Sequence, residues 1–315
     1  MARTTSKKPK GGEPAPTFTM TRLAQELLQP DGCNEVVLAP ESRYSLSLQP
    51  QPEPAVAPVD VADADQPVRS RLDFRVPGQL RNLVWMSDPE RPLQDHEIEV
   101  RPHAVGLNFR DVMYLMGLLP DEAVENGFAG ASLGLEMAGV VSRVGRRVKD
   151  HLPGDAVMGF GSACFASHVI TRDDAVVAMP PGWSFEAAAT VPTVFFTVYH
   201  SLRHLADLQA GERVLIHGGA GGVGIAAIQL ARHLGAEVFA TAGSEEKRDF
   251  VRLLGADHVF DSRSLGFADE LLAATGGEGV DVVLNSLAGE AIRRNLRVLK
   301  PFGRFLELGK RDFFE

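Results

Sequence analysis

One short run constrains this chain more than any other: Gly219-Ala220-Gly221-Gly222-Val223-Gly224. It fits G-x-G-x-x-G, follows the apolar run Val214-Leu215-Ile216 and opens the apolar stretch Ile225–Leu234. Glycines between a strand and a helix let the backbone turn tightly and approach a pyrophosphate. The helix N-terminus then offers unpaired N–H groups and the positive end of its dipole. These six residues are therefore the expected phosphate loop of a dinucleotide site.

The surrounding chain repeats strand–helix units. Strands are expected at Arg213–His217, Glu237–Thr241, His258–Phe260, Val280–Leu284 and Arg304–Leu308, with helices over Val223–Leu234, Glu245–Leu254, Phe267–Thr275 and Glu290–Leu299. The strands are apolar and β-branched without alternation, as when both faces of a sheet are covered. The expected fold class is therefore α/β, with a doubly wound parallel sheet over 196–315. From Leu72 to about residue 195 the texture differs. Short runs at His96–Val105, Ala138–Val144, Ala156–Met158, Ala166–Ile170 and Ala175–Ala178, separated by turns, predict a partly open β-barrel domain over 71–195. Phe185–His204 reads as largely helical, interrupted near Pro192.

Residues 1–70 combine a basic Gly/Pro-rich tail, a short helix over Thr21–Leu28, two strands over 35–38 and 44–48, and a proline-punctuated linker over 49–68.

Composition removes several function classes. A net charge of −9 argues against a nucleic-acid surface, which needs a concentrated basic face. Cys33 and Cys164 are too few and too far apart for a disulfide framework or a cysteine zinc site, so no metal is expected from them. No apolar stretch is long enough to span a bilayer, and no apolar h-region follows the first charges. These readings set the expected compartment as the cytoplasm.

The second strand of the sheet addresses cofactor choice. An NAD site places Asp or Glu at its tip to hold the ribose hydroxyls. Here the tip reads Phe239-Ala240-Thr241-Ala242-Gly243-Ser244, followed by Lys247 and Arg248. A hydroxyl and a cation at this point suit a 2′-phosphate, so the expected cofactor is NADPH. Ser244 also suits a helix N-cap, and Lys247 a solvated helix charge.

Leu133-Gly134-Leu135-Glu136-Met137-Ala138-Gly139-Val140-Val141, Gly154-Asp155 and Ala187-Ala188-Ala189 resemble the core of the medium-chain dehydrogenase/reductases. The resemblance implies a GroES-like substrate domain and a Rossmann cofactor domain. In the zinc-dependent branch the position of Leu135 is a histidine ligand, a cysteine sits near Leu107–Asn108, and four closely spaced structural cysteines are present. None of these is found here, which points to zinc-free reduction of a double bond. Asn108-Phe109-Arg110-Asp111-Val112-Met113, Asn285-Ser286-Leu287-Ala288-Gly289-Glu290 and Gly303–Asp312 are similar to segments of enoyl reductase domains of type I polyketide and fatty acid synthases. The segment from Thr21 to Leu48 also resembles what precedes the reductase in such synthases.

The resemblance implies hydride transfer to the β-carbon of an enoyl thioester carried by an acyl carrier protein, with charge developing on the thioester oxygen and a proton then delivered to the α-carbon. Lys310 matches the family's catalytic lysine in Leu-Gly-Lys-Arg-Asp; by position alone it also reads as a surface lysine. Asn108 and Asp111 match the block that faces nicotinamide and substrate, although Asp111 also suits a pairing with Arg110 or a helix cap. Thr193, Thr197 and Asn285 fall where the family approaches the cofactor. Leu119 stands beside Pro120 where some relatives carry a tyrosine, which suits either the opposite stereochemistry of α-protonation or an unbranched substrate. His103, His168 and His217 read as core or surface histidines. Other synthase domains are expected partners, and a homodimer is allowed because relatives include dimers and monomers. The family continues beyond the position of Glu315 through another strand, so a fragment, or a chain completed by a partner, is expected. Two other readings stay open: a free-standing zinc-independent quinone or enone reductase, and a non-catalytic nucleotide-binding remnant.

Overall fold

Near the N-terminus, β1 (Val36–Leu38) and β2 (Arg43–Ser45) pair antiparallel, with Val37 opposite Tyr44. The computed structural model describes Leu28, residues 36–38, 43–45, 69–119, Val124 and residues 130–309; apart from Leu28, the helix expected over 21–28 lies outside them. The chain divides into two units, Met1–Gln66 and Pro67–Glu315.

In the second unit a hairpin comes first, formed by β3 (Ser70–Phe74) and β4 (Leu83–Ser87). The sequence did not announce it, because neither strand buries a full face and Trp85 stays exposed. It joins the barrel through the Leu72 N–H to the Phe165 carbonyl (2.7 Å) and the Ser167 N–H to the Ser70 carbonyl (2.8 Å).

The barrel sheet contains β5 (Glu97–Val105), β6 (Glu136–Val144), β7 (Ala156–Phe160), β8 (Val169–Arg172) and β9 (Val176–Ala178). Their order is β8-β5-β6-β7-β9, antiparallel throughout. Ile98, Val100, Met137, Val141, Val157, Cys164, Val169 and Val176 fill its core. Between β5 and β6 lies the helix α1 (Phe109–Leu115), which turns the Asn-Phe-Arg-Asp block toward the cofactor half.

A split helix follows. α2 (Phe185–Ala189) is capped by Ser184, whose Oγ accepts from the Ala187 N–H at 3.2 Å. α3 (Pro192–Val198) starts at proline, which loses nothing there because the first-turn N–H groups lack helical partners anyway. Residues Tyr199–Leu205 then widen into a π-helical turn that residue periodicity did not reveal.

The cofactor half alternates β10 (Arg213–Ile216), α4 (Gly222–His233), β11 (Glu237–Ala242), α5 (Glu245–Leu253), β12 (His258–Asp261), α6 (Phe267–Ala274), β13 (Val280–Asn285), α7 (Glu290–Val298) and β14 (Leu299–Glu307). The sheet is parallel in the order β12-β11-β10-β13-β14. Val214 and Ile216 enter one apolar cluster with Ala226, Ile228 and Val251, while Leu215 enters the other with Phe239, Phe267 and Val283. Two covered faces explain the unbroken apolar runs. Each fully buried Leu or Phe contributes roughly 1.5–3 kcal/mol as an upper value. Strand order reverses between β10 and β13, so the carboxyl ends of these strands open onto the crevice where doubly wound sheets bind ligands.

Candidate functional site

The glycine loop leaves β10 at that crevice. Gly218 has φ +64°, the Gly219 N–H donates to the Thr241 carbonyl at 2.8 Å, and the Gly221 N–H donates to the Gly218 carbonyl at 2.8 Å. Gly224 is buried, and a Cβ on it would stand 2.6 Å from the Gly219 Cα. Helix α4 can therefore press against the loop only with glycine at this position. Gly221 and Gly222 are exposed, and Ala220 and Val223 are partly buried against the adjoining core. A bare, exposed glycine backbone ahead of a twelve-residue helix fits a dinucleotide pyrophosphate.

At the tip of β11, the Ser244 Oγ accepts from the Lys247 N–H at 3.4 Å and so caps α5. Lys247 is exposed, with no carboxylate on its ammonium among the described residues. Arg248 is spoken for by Glu245 at 2.5 Å and Asp261 at 3.6 Å. Arg263 was not singled out in the sequence. A Cβ on Gly243 would stand 3.2 Å from its Nε, and its guanidinium has no acidic partner among the described residues. Its separation from Lys247 in sequence hid it; only the pairing of β12 beside β11 brings it to the tip.

A cavity of about 470 Å³ opens between the two halves of this unit. Phe109, Arg110, Met113, Leu118 and Leu119 line it from the α1 side; Ser286, Leu287, Ala288, Leu308 and Gly309 line it from the ends of β13 and β14. All three segments that carried the synthase resemblance thus meet at one mainly apolar hollow. It adjoins the phosphate loop, since a Cβ on Gly218 would stand 3.5 Å from the Ser286 Oγ. Lys310 lies outside the described residues; its neighbour Gly309 is part of the cavity wall.

Glu136, visible in the sequence only as part of a family block, ties α1 to α3. It is 3% exposed. Its Oε1 accepts from the Asn108 Nδ2 at 2.8 Å and its Oε2 from the Thr193 N–H at 2.7 Å. The carboxylate thereby clamps the start of α1 to the start of α3. The Thr193 hydroxyl is buried with no partner, an orphan that a cofactor amide would satisfy. Thr197 is already committed, donating its hydroxyl to the Thr193 carbonyl at 2.7 Å.

Asp111 is 6% exposed and accepts from the Gly134 N–H at 2.9 Å, with Arg110 at 3.7 Å. Burial pushes its carboxyl up, while the Gly134 N–H and Arg110 pull the other way. Its Oδ2 is buried without a partner. Arg110 is anchored by the Ser132 and Gly130 carbonyls and lies 4.7 Å over the Tyr114 ring. Asn285 is fully buried, and its amide is consumed by Leu287, Asn295 and Glu307.

Among the described residues, no group of three or more His, Cys, Asp or Glu side chains is arranged to hold a metal ion. None of their helices is long and apolar enough to cross a membrane.

Two family models match: the alcohol dehydrogenase GroES-like domain over residues 94–194 and the zinc-binding dehydrogenase domain over residues 222–313. Among solved structures, the CurK enoyl reductase shares 44% identity with a TM-score of 0.75, covering 79% of this chain and 76% of that one. The apo JamJ enoyl reductase shares 41% with a TM-score of 0.73, over 79% and 76% of the two chains. The Escherichia coli quinone oxidoreductase complexed with NADPH shares 31% with a TM-score of 0.67, over 76% and 73%. A phenolphthiocerol/phthiocerol polyketide synthase component of Mycobacterium tuberculosis is 42% identical over 96% of this chain, which spans 14% of that protein. NorB of the spectinabilin polyketide synthase system of Streptomyces orinoci is 48% identical over 75% of the chain, which spans 10% of it. With a GroES-like half, a Rossmann half that binds a nicotinamide cofactor, and these relatives, the chain belongs to the medium-chain dehydrogenase/reductase family, in its zinc-independent branch with the enoyl reductases of polyketide synthases.

Proposed function

We propose that this chain is the NADPH-dependent enoyl reductase of a polyketide or fatty acid synthase, reducing the α,β double bond of an enoyl thioester presented by an acyl carrier protein. The observation that carries the reading is the convergence of residues 109–119, 286–288 and 308–309 on one largely apolar cavity beside the glycine loop. A hollow of this character suits an acyl chain, and the loop suits a dinucleotide.

The bound nicotinamide supplies the hydride. The chain's own residues bind, orient and protonate. The loop Gly219–Gly224 offers bare backbone to the pyrophosphate, and the orphan Thr193 hydroxyl offers a hydrogen bond to the carboxamide end. Glu136 holds Asn108 at the start of α1, and Asp111 braces the Gly134 turn. The apolar wall excludes water from the β-carbon. Lys310, next to the cavity wall in sequence, is assigned as the donor that protonates the α-carbon, with Asp111 in a supporting role.

NADPH is preferred over NADH because β11 ends without an acidic residue of its own, and the Lys247 ammonium and Arg263 guanidinium stand at its tip with no acidic partner among the described residues. Lys247→Ala and Arg263→Ala should each weaken NADPH about tenfold while leaving NADH unchanged, a loss of ~1.4 kcal/mol. Fluorescence titration with both nucleotides checks this, and equal weakening of both would refute the assignment.

The activity test follows NADPH absorbance with a crotonyl thioester. Turnover that Lys310→Ala abolishes supports the reductase. Turnover of quinones alone would favour a quinone oxidoreductase, and NADPH binding without turnover a nucleotide-binding remnant.

A further inference from the structure

Five side chains connect the phosphate loop to the cavity wall in one hydrogen-bonded line. Thr241 lies in β11, and its carbonyl already receives the Gly219 N–H. The Thr241 Oγ1 is 2.9 Å from the His217 Nδ1, and the His217 Nε2 is 2.7 Å from the Asn295 Oδ1. The Asn295 Nδ2 donates to the Asn285 Oδ1 at 2.8 Å, and the Asn285 Nδ2 donates to the Glu307 Oε2 at 2.5 Å. The other Glu307 oxygen accepts from the Gly309 N–H at 2.5 Å. Thr241, Asn285 and Asn295 are fully buried, and His217 is 4% exposed.

The backbone dictates every orientation in this line. The Leu287 N–H donates to the Asn285 Oδ1 at 3.1 Å, and the Leu287 carbonyl accepts from the Asn285 Nδ2 at 2.7 Å. The Asn285 amide therefore has one allowed facing. Asn295 must donate to the Asn285 oxygen, so its own oxygen faces His217. His217 must then carry its proton on Nε2, and its Nδ1 must accept from the Thr241 hydroxyl. No partner remains reversible.

Sheet stability does not account for such a line. These positions sit among Val, Leu and Ile, where apolar side chains avoid the cost of burying polar groups. A fully satisfied polar line instead specifies one arrangement of the groups at its ends. Those groups are the loop at Gly219 and the cavity walls at Leu287 and Gly309.

We propose that His217 and Asn295 are positioning residues, holding Leu287 and Gly309 at the cavity wall in register with the phosphate loop through Asn285 and Glu307. The kinetic consequence rests on the reductase reading; the arrangement itself does not.

Two measurements on the full chain test the proposal. A long-range 1H–15N spectrum should show His217 protonated on Nε2 alone across the neutral range. A proton on Nδ1, or exchange between the two nitrogens, overturns the line whether or not the enzyme turns over. With crotonyl thioester and saturating NADPH, His217→Leu should lower kcat about 10–100-fold, with NADPH affinity kept within about threefold. His217→Gln, whose amide accepts from Thr241 and donates to Asn295, should recover most of that loss. An unchanged kcat, a loss that Gln does not rescue, or a parallel loss of NADPH affinity overturns the positioning role. If His217→Leu fails to fold, Glu307→Gln removes one of the two last links and should show the same split of kcat from affinity; an unchanged kcat there refutes the proposal. Wild-type protein that does not reduce the thioester sinks the reductase reading, and the spectrum still decides the line.

Discussion

A methyl group on Gly224 would stand 2.6 Å from the Gly219 Cα, backbone against backbone, with no flexible side chain to give way. Gly224→Ala should therefore push α4 off the loop, costing about 1–3 kcal/mol of stability. It should also weaken NADPH at least tenfold, readable by thermal melting and fluorescence titration. Glu136 uses close approach differently. A Cβ on Gly106 would stand 2.5 Å from its Cδ, so the carboxylate is seated against backbone with both oxygens occupied. Glu136→Gln turns one acceptor into a donor facing a donor. The expected loss is about 1–3 kcal/mol in urea unfolding, with kcat falling while NADPH affinity holds. Glu136→Asp, too short to reach both ends, should not rescue. The glycine role was legible in the sequence because the loop is local. The clamp was not, since it joins residues 108, 136 and 193.

Among the elements, the βα units matched expectation best. Their strands are uniformly apolar and their helices well separated, so local pattern and final burial agree. Ser244 before Glu245 marks a helix start in sequence, and it caps α5 in the structure. Elements held by distant partners were harder to read. The β3–β4 hairpin depends on Phe165 and Ser167 for its attachment. Helix α1 buries only Asp111 and Leu115, and leaves Phe109 75% exposed, so no apolar stripe announces it. Within the barrel sheet, Glu99 is nearly inaccessible. Burial would push its carboxyl up, but hydrogen bonds from Arg143, Arg69 and Ser142 outweigh that and hold it at about 2. An unfolded glutamate titrates near ~4.3, so this contribution is whole above that value and is lost as pH falls toward 2. Glu99→Gln should flatten the dependence of stability on pH in that window.

For the whole molecule, two buried groups should lower stability in two different pH windows. Burial holds His217 down at about 4, opposed by the hydrogen bond with Asn295. The unfolded histidine titrates near ~6.5, so between that value and 4 the unfolded chain binds a proton that the native chain refuses. Stability is whole above the upper value and falls on the order of 3 kcal/mol as pH drops through the window. Urea midpoints measured against pH should show this slope, and His217→Gln should remove its share of it, leaving the smaller part from His168, also held down by burial, and the lower window of Glu99.

The chain order of strands and helices in the cofactor half, the glycine loop and the absence of an acid at the β11 tip were determined by sequence alone. Each depends on residues that are neighbours along the chain, where backbone geometry and helix capping act. The tertiary structure alone decided that three remote segments share one cavity, that Glu136 clamps two helix starts, that Arg263 reaches the β11 tip, and that His217 belongs to a line ending at Gly309. Those contacts close over long loops of chain. Strand order brings their partners together, and no local periodicity records it.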